Sequence, residues 1–572
     1  MSEFSLLLRT VRHLQPSQVA HRARLRVQRS RLARDPQRHE RRLQTSVTTW
    51  TGMPEGFVAL DRRLLTGFPS PEANAAGWFE FLAQASDLGQ PVNWTPEWAT
   101  QLWRYHLHYF EWAYAFASHP DEEWARAAFV DLWRSWTAGT TFGRWDEWSP
   151  YVASLRTWVL CDVFEPLVAR SRFERDMAQA IALHAQYVLA NMELDVGGNH
   201  LIKNAKALIG GGVFLGDVSM VETGCAHIAR QIGVQILGDG GHFERSPAYH
   251  AQVLGDFVDI EGVLRGAKLP PIDGLSEAIG RMRSWLASMC HPDGDVALFN
   301  DSGLVGADRL SALGVSTMSE RLTVLADTGY VVIRPDERSA LFVDAGDPCP
   351  DELPAHAHSD CLSFELSVDG TRVIVDTGTS TYAPGERRQY ERSTVAHNTI
   401  GLDDIDQTEV WGTFRAAFRA RGSIEKVVER PDGVSVTATH NGYRRLRGKV
   451  THRRRFDVTA DEVVIGDRVE GSGSHTLTWS LHVAPGIDVV QVRPDRIVAG
   501  PVDIDITAAG MPVFVQVEPA LVATGFNCAE WGTALRIQAE VELPVEVSAR
   551  IVVRALRDAG PCDDAVAEAC DG

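Results

Sequence analysis

Leu362-Ser-Phe-Glu-Leu-Ser-Val-Asp-Gly-Thr-Arg-Val-Ile-Val375 decides how the second half of the chain is read. Leu362, Phe364, Leu366 and Val368 alternate with Ser363, Glu365 and Ser367, and Asp369-Gly370 supplies a two-residue turn that accepts positive φ, so a β-hairpin is predicted. Its flanks carry chemistry. His356-Ala-His358-Ser-Asp360 enters the hairpin, Asp376 leaves it, and Ala396-His397-Asn398 follows in the next segment. In extended backbone His356 and His358 point to the same side, and the hairpin would bring His358 and Asp376 together. With His397 they form a nitrogen and oxygen donor set suited to a borderline cation such as zinc. Surface histidines on loops are the competing reading.

Outward from the hairpin the period stays at two, through Tyr330-Val-Val-Ile-Arg334, Ala340-Leu-Phe-Val-Asp344, Val434–Thr439, Arg453–Val458, Glu462–Gly466, His475–His482 and Val545–Val553. Many short strands separated by turn residues predict an antiparallel β-sandwich. Before about residue 320 the period is helical. Apolar residues recur at three- and four-residue spacing in Val163–Leu189, Leu201–Leu215, Ile228–Leu237, Ala251–Leu264 and Leu275–Met289. Breaks between helical hairpins are predicted at Gly210-Gly-Gly212, Gly238–Gly241 and Leu269–Ile272. Twelve of the sixteen Trp precede residue 160 and read mainly as core, with sugar stacking as the alternative. The expected division is an arm over 1–45, a helical domain over 46–318, a β-domain over 319–557 and an acidic tail over 558–572.

A chain of 572 residues exceeds what one core can serve, so two or more domains are expected. The net charge of −19 argues against nucleic acid as a partner. Eight cysteines without a CxxC read as mostly reduced thiols, Cys562 with Cys570 being the one local pair. No apolar run reaches the length of a membrane span. Phe4–Leu8 is too short for a secretory core and no small-residue cleavage site follows, so no classical signal peptide is expected. The bacterial cytoplasm or its membrane surface is the expected location, with the periplasm as the alternative. Residues 1–43 hold eleven Arg against three acids, leaving about −27 for the rest. That arm reads either as a membrane-surface helix or as a basic helix packed on the acidic body.

Two stretches of the helical half are more polar than packing requires. Val196-Gly-Gly-Asn199-His200-Leu-Ile-Lys-Asn204-Ala-Lys206 places Asn199 and His200 at a helix start, either as a simple cap or as an anion site. Asp239-Gly-Gly-His242-Phe-Glu244-Arg245-Ser-Pro-Ala-Tyr249-His250 gathers His, Glu, Arg and Tyr after a glycine turn. Cations beside Tyr249 would pull its phenol down toward use as a base, and a packed aromatic is the alternative.

These two motifs, with His356-Ala-His358-Ser-Asp360 and Arg392-Ser-Thr-Val-Ala-His-Asn-Thr399, resemble the heparinase II/III-like polysaccharide lyases, a group similar to some alginate lyases. The resemblance implies a multidomain α+β chain, an incomplete (α/α) toroid followed by an antiparallel β-sandwich, with the site in the cleft between them. It implies a carbon–oxygen lyase that cleaves a uronate-containing anionic polysaccharide by β-elimination. Asn199 and His200 resemble the pair that offsets the uronate carboxylate, Tyr249 the catalytic tyrosine, and His356 the assisting histidine. Tyr382 resembles a further active-site tyrosine, with Tyr390 competing for the role. His242, Glu244, Arg245, Tyr390 and Arg392 are expected substrate contacts. His358, Asp376 and His397 resemble the ligands of a structural zinc, and a homodimer is left open. A polysaccharide-binding or assembly protein, and a glycosidase using Glu244 and Asp360, are the alternatives. The basic run Arg444–Lys449 and His452–Arg455 is a further candidate for polymer contact, or else the outward charge of an edge strand.

Overall fold

The computed structural model describes residues 3–44, 50, 52, 70–144, 146–316, 318 and 320–554. The acidic tail, with Cys562 and Cys570, lies outside the described residues. Helices fill the first part of the chain, including Pro150–Asp162, Glu174–Ala190, Gly198–Leu215, Val218–Gln235, Pro247–Gly266 and Leu275–Ser288. Buried Trp94, Trp103, Trp112, Trp133, Trp136 and Trp148 share one core, so this aromatic wealth is mainly packing, whereas Trp78 and Trp98 are exposed. From Leu322 onward the chain forms antiparallel strands in sheets of eight and nine members.

One expected break is not one. Gly210-Gly-Gly212 lies inside the Gly198–Leu215 helix, because neighbouring helices approach its backbone too closely for a side chain. A Cβ on Gly210 would lie 2.8 Å from Trp158, and one on Gly212 2.9 Å from the Val221 backbone nitrogen.

The predicted hairpin is present as Phe364–Val368 and Thr371–Ile374. It is buried on both faces, so the alternation does not separate core from solvent. Period two divides the sheet between two cores: Val331, Ile333, Leu341 and Val343 face the sandwich interior, whereas Tyr330, Val332, Ala340 and Phe342 pack with Phe257, Trp285 and Met289 of the helical half. Ser367 and Glu365 face the same way as the second set. They hold His291 at 2.7 and 2.8 Å, which joins the halves by buried polar contacts. The Tyr330 hydroxyl donates to the Arg245 carbonyl at 2.7 Å, and Arg334 donates to the Ser288 and Cys290 carbonyls. These joints hold the two walls of the cleft in fixed relation.

The arm is three helices, α1 (Glu3–Val11), α2 (Pro16–Arg34) and α3 (Pro36–Gln44). Gln18, Leu25 and Leu32 are its buried positions on α2, and the Gln28 amide donates to the Ala190 carbonyl at 2.9 Å. On α1, Arg9 pairs with Glu409 at 2.6 Å, and the Thr10 hydroxyl meets the Ala416 carbonyl and the Trp411 indole. The arm therefore packs on both halves. Strand Thr451–Val458 lies between two others rather than at an edge, and alternation buries His452 and Arg454 against Asp467. Exposed Arg453 and Arg455 pair with Glu425 and Asp457, so this basic row is matched by the chain's own carboxylates.

Candidate active site

Three aromatic side chains meet where the halves join. Arg245, at φ 57°, turns the chain, Ser246 caps the next helix by accepting from the Tyr249 amide, and Pro247 occupies its first position. Tyr249 thus stands in the first helical turn. Its hydroxyl lies 2.9 Å from that of Tyr382, and its ring stacks on His356 at 3.8 Å between centroids. Tyr382 is held edge-on by Phe414 and Phe526, with the Arg388 guanidinium 4.9 Å from its ring centre.

His356 lies between two carboxylates. Its Nδ1 is 2.9 Å from Asp301 Oδ2, and its Nε2 is 3.3 Å from Glu244 Oε2. Asp301 also receives His358 Nε2 at 2.9 Å, the Thr379 hydroxyl at 3.0 Å and a bidentate pair from buried Arg388 at 2.5 and 2.8 Å. Burial alone would raise the Asp301 pKa; Arg388 and the two histidines outweigh it and hold the carboxyl well below the usual range. The phenols respond oppositely. Burial, then the Asp301 charge, pushes both Tyr249 and Tyr382 well above the ordinary tyrosine value. The expectation of a lowered Tyr249 pKa is therefore corrected: at neutral pH this phenol is a proton donor.

Asn199 and His200 occupy the first turn of the Gly198–Leu215 helix, where the helix dipole is positive. Gly198 has φ 56°, and a Cβ there would meet Leu353 at 2.5 Å and Glu244 at 2.6 Å. The Asn199 backbone and side-chain amides both donate to Glu244 Oε1, at 3.1 and 3.4 Å. His200 is about one-third exposed and packs on Tyr151, 4.3 Å between ring centroids. Burial opposes its imidazolium, but Glu193, 3.3 Å from Nδ1, more than offsets this and raises the pKa.

Beneath these groups His358, Asp376 and His397 bring one ligand atom each to within 4.8 Å of one another, all buried. His358 and Asp376 lie just outside the hairpin strands. His358 Nδ1 and His397 Nε2 have no hydrogen-bond partner, and neither carboxylate oxygen of nearby buried Asp360 has one. Asp376 Oδ2 lies 2.7 Å from His397 Nδ1, and the orphaned nitrogens beside the unmatched Asp360 carboxylate fit a bound divalent cation, which these three residues could hold. Asp301 orients His358 through its other nitrogen, the arrangement usual behind a metal-ligating histidine.

Other expected contacts point elsewhere. Buried His242 bonds Gln235 at 2.9 Å, and buried Arg392 donates to the carbonyls of Ala357, Gly412 and Arg415, so neither reaches the cleft. Arg245 donates to the Asp347 carbonyl across the halves. Tyr390 sits by Arg536, its hydroxyl 3.4 Å from Nη2, rather than with Tyr249. Glu244 and Asp360, the two candidates for a glycosidase pair, are both buried. Sequence reasoning missed Asp301, Arg388, Glu193 and Tyr151. The Arg-rich run Glu386-Arg-Arg388 was the one local signal for any of them.

A helical half and an antiparallel sandwich with such a site between them define a toroid-and-sandwich protein. The Heparinase II/III N-terminus model matches residues 75–317 and the Heparinase II/III-like, C-terminal model residues 317–553, and the chain belongs to this heparinase II/III-like family. It is 26% identical over 374 residues to FtsZ-localized protein C of Caulobacter vibrioides, covering 62% of this chain and 63% of that one. It is 26% identical over 333 residues to a heparin-sulfate lyase of Bacteroides stercoris, covering 52% and 47%. The chain thus spans about half to just under two thirds of these relatives. A crystal structure of heparinase III shares the fold, at TM-score 0.72 and 17% identity over 92% of both chains. Among the described residues no helix is long and apolar enough to cross a membrane.

Proposed function

We propose that the protein is a polysaccharide lyase that cleaves a uronate-containing anionic polysaccharide, glycosaminoglycan- or alginate-like, by β-elimination. The observation that carries this reading is Tyr249, its hydroxyl on that of Tyr382 and its ring stacked on His356, in a chain whose His200, its pKa raised by Glu193, stands in the first turn of the Gly198–Leu215 helix.

The C5 proton of a uronate is weakly acidic until its carboxylate charge is offset. His200 and the helix N-terminus at Asn199 serve that purpose, and they act most strongly on the enolate-like transition state. His356, its ring fixed between Asp301 and Glu244 and stacked on Tyr249, is the base that takes C5–H. The C4–O bond then breaks, the Tyr249 hydroxyl protonates the departing glycosidic oxygen, and a C4–C5 double bond remains. No water is consumed. Glu244 orients Asn199 and faces His356, acting on substrate only through them.

The test is incubation with heparan sulfate, hyaluronan, chondroitin and alginate, following the ultraviolet absorbance of the unsaturated product. A rise with one polymer names the substrate class. Because turnover needs His200 charged, kcat/KM is expected to fall as pH rises through a value above the ordinary histidine pKa of about 6.5. His200→Gln should lower the rate and abolish that descending limb; an unchanged limb contradicts the assignment.

We assign zinc to His358, Asp376 and His397, where it would supply a cross-link between the segments that carry His356 and Tyr382 and no contact with the sugar. Chelation is expected to lower the melting temperature while the still-folded protein keeps its turnover. Loss of turnover without unfolding would contradict this structural role.

A second reading, polymer binding without turnover, draws on Glu244, which already engages the Asn199 donors, and on the relative named for localisation to FtsZ. Tight polymer binding with no absorbance change would favour it.

A further inference from the structure

We infer that α1 is a docking surface for a bilayer of anionic phospholipid. Phe4, Leu7, Leu8 and Val11 are 68, 41, 56 and 44% exposed, and their spacing places them on one face of the helix. Ser5, Leu6, Arg9 and Thr10 make the opposite, partly covered face. That face holds the helix to the body, through Arg9 with Glu409 and Thr10 with Trp411 and the Ala416 carbonyl. The usual arrangement is inverted: the side with most of the polar contacts packs, and the apolar side faces out. Single exposed apolar residues need no explanation, but four on one face of a nine-residue helix form a patch.

Charge selects the occupant. The chain carries −19 overall and would be repelled by an anionic surface, yet the arm concentrates eleven arginines. Arg12, Arg24, Arg26, Arg31, Arg34 and Arg38 are exposed on or beside α2 and α3. A two-turn helix with four apolar side chains binds lipid weakly by itself, and stable attachment takes a basic patch as its second signal. An apolar protein partner would account for the first feature and leave the arginines without a purpose. A bilayer with acidic head groups accounts for both.

The full-length protein would be sedimented with vesicles of phosphatidylcholine alone and with vesicles that also contain phosphatidylglycerol. Binding is expected to the second only, and to weaken as salt is raised. Leu7→Glu with Leu8→Glu should reduce the partition coefficient by at least about tenfold, with an unchanged melting temperature. Phe4→Ser, at the most exposed position, should reduce it in the same direction and separates a docking defect from a folding one. Equal binding to both vesicle types, or full binding by the variants, overturns the proposal. So does a wild-type protein that ignores vesicles and self-associates through a surface the double variant abolishes.

Discussion

Tyr249→Phe is expected to lower turnover on the cleaved polymer by roughly a hundred- to ten-thousand-fold, the usual contribution of a positioned proton donor, while leaving the fold intact. The substitution removes one hydroxyl and keeps the ring on His356, so packing is preserved. The effect should fall on kcat more than on KM, because protonation of the leaving oxygen belongs to the transition state and not to binding. The raised phenol pKa makes the loss specific to a donor: a tyrosinate base would show a rate that climbs with alkali, and this site should not. Turnover retained within a few-fold, or a rate rising into alkaline pH, would move the acid role to another group, with Tyr382 as the first candidate at 2.9 Å.

Asp301→Ala is expected to cost about 3–5 kcal/mol of stability, read by urea denaturation, since it leaves the buried Arg388 guanidinium without its carboxylate. The same change frees His356 and His358 at once, so turnover should fall with it. The pH dependence follows from the depressed pKa of Asp301. Its stabilisation is present above the unfolded carboxylate value of about 3.9 and is lost as pH falls through its lower, folded-state value. Asp301→Asn should remove that part of the acid transition and retain more stability than the alanine variant, because the amide oxygen still accepts from Arg388. A loss below about 1 kcal/mol for Asp301→Ala would mean that Arg388 finds another partner and that Asp301 is not the hub of the site.

Much of this architecture was legible locally. The Asp369-Gly370 turn and the flanking alternation placed the hairpin, and the short spacing around it placed His358, Asp376 and His397 together. The family resemblance also pointed to Asn199, His200, Tyr249, His356 and Tyr382; Tyr249 meets His356 and Tyr382, and Glu244 links Asn199 to His356. The illegible part depends on contacts between distant segments. Asp301 lies 55 positions from His356 and 87 from Arg388, and no local pattern marks it. The Tyr249 pKa was misjudged because its basic sequence neighbours are not its spatial ones. His242 bonds Gln235 and Arg245 points to Asp347, whereas burial first, then the charges of Asp301 and Glu244, push the phenol up. Gly210–Gly212 read as a turn because the tight helix packing that requires glycine is a tertiary fact.

The proposed reaction is elimination without water. The most direct measurement is the mass of the cleaved ends after reaction in ¹⁸O-labelled water, with the product's ultraviolet absorbance recorded in parallel. Elimination leaves unsaturated, absorbing ends that carry no label. Label in the new ends, or no cleavage of any uronate polymer under conditions where the protein is folded, would contradict it.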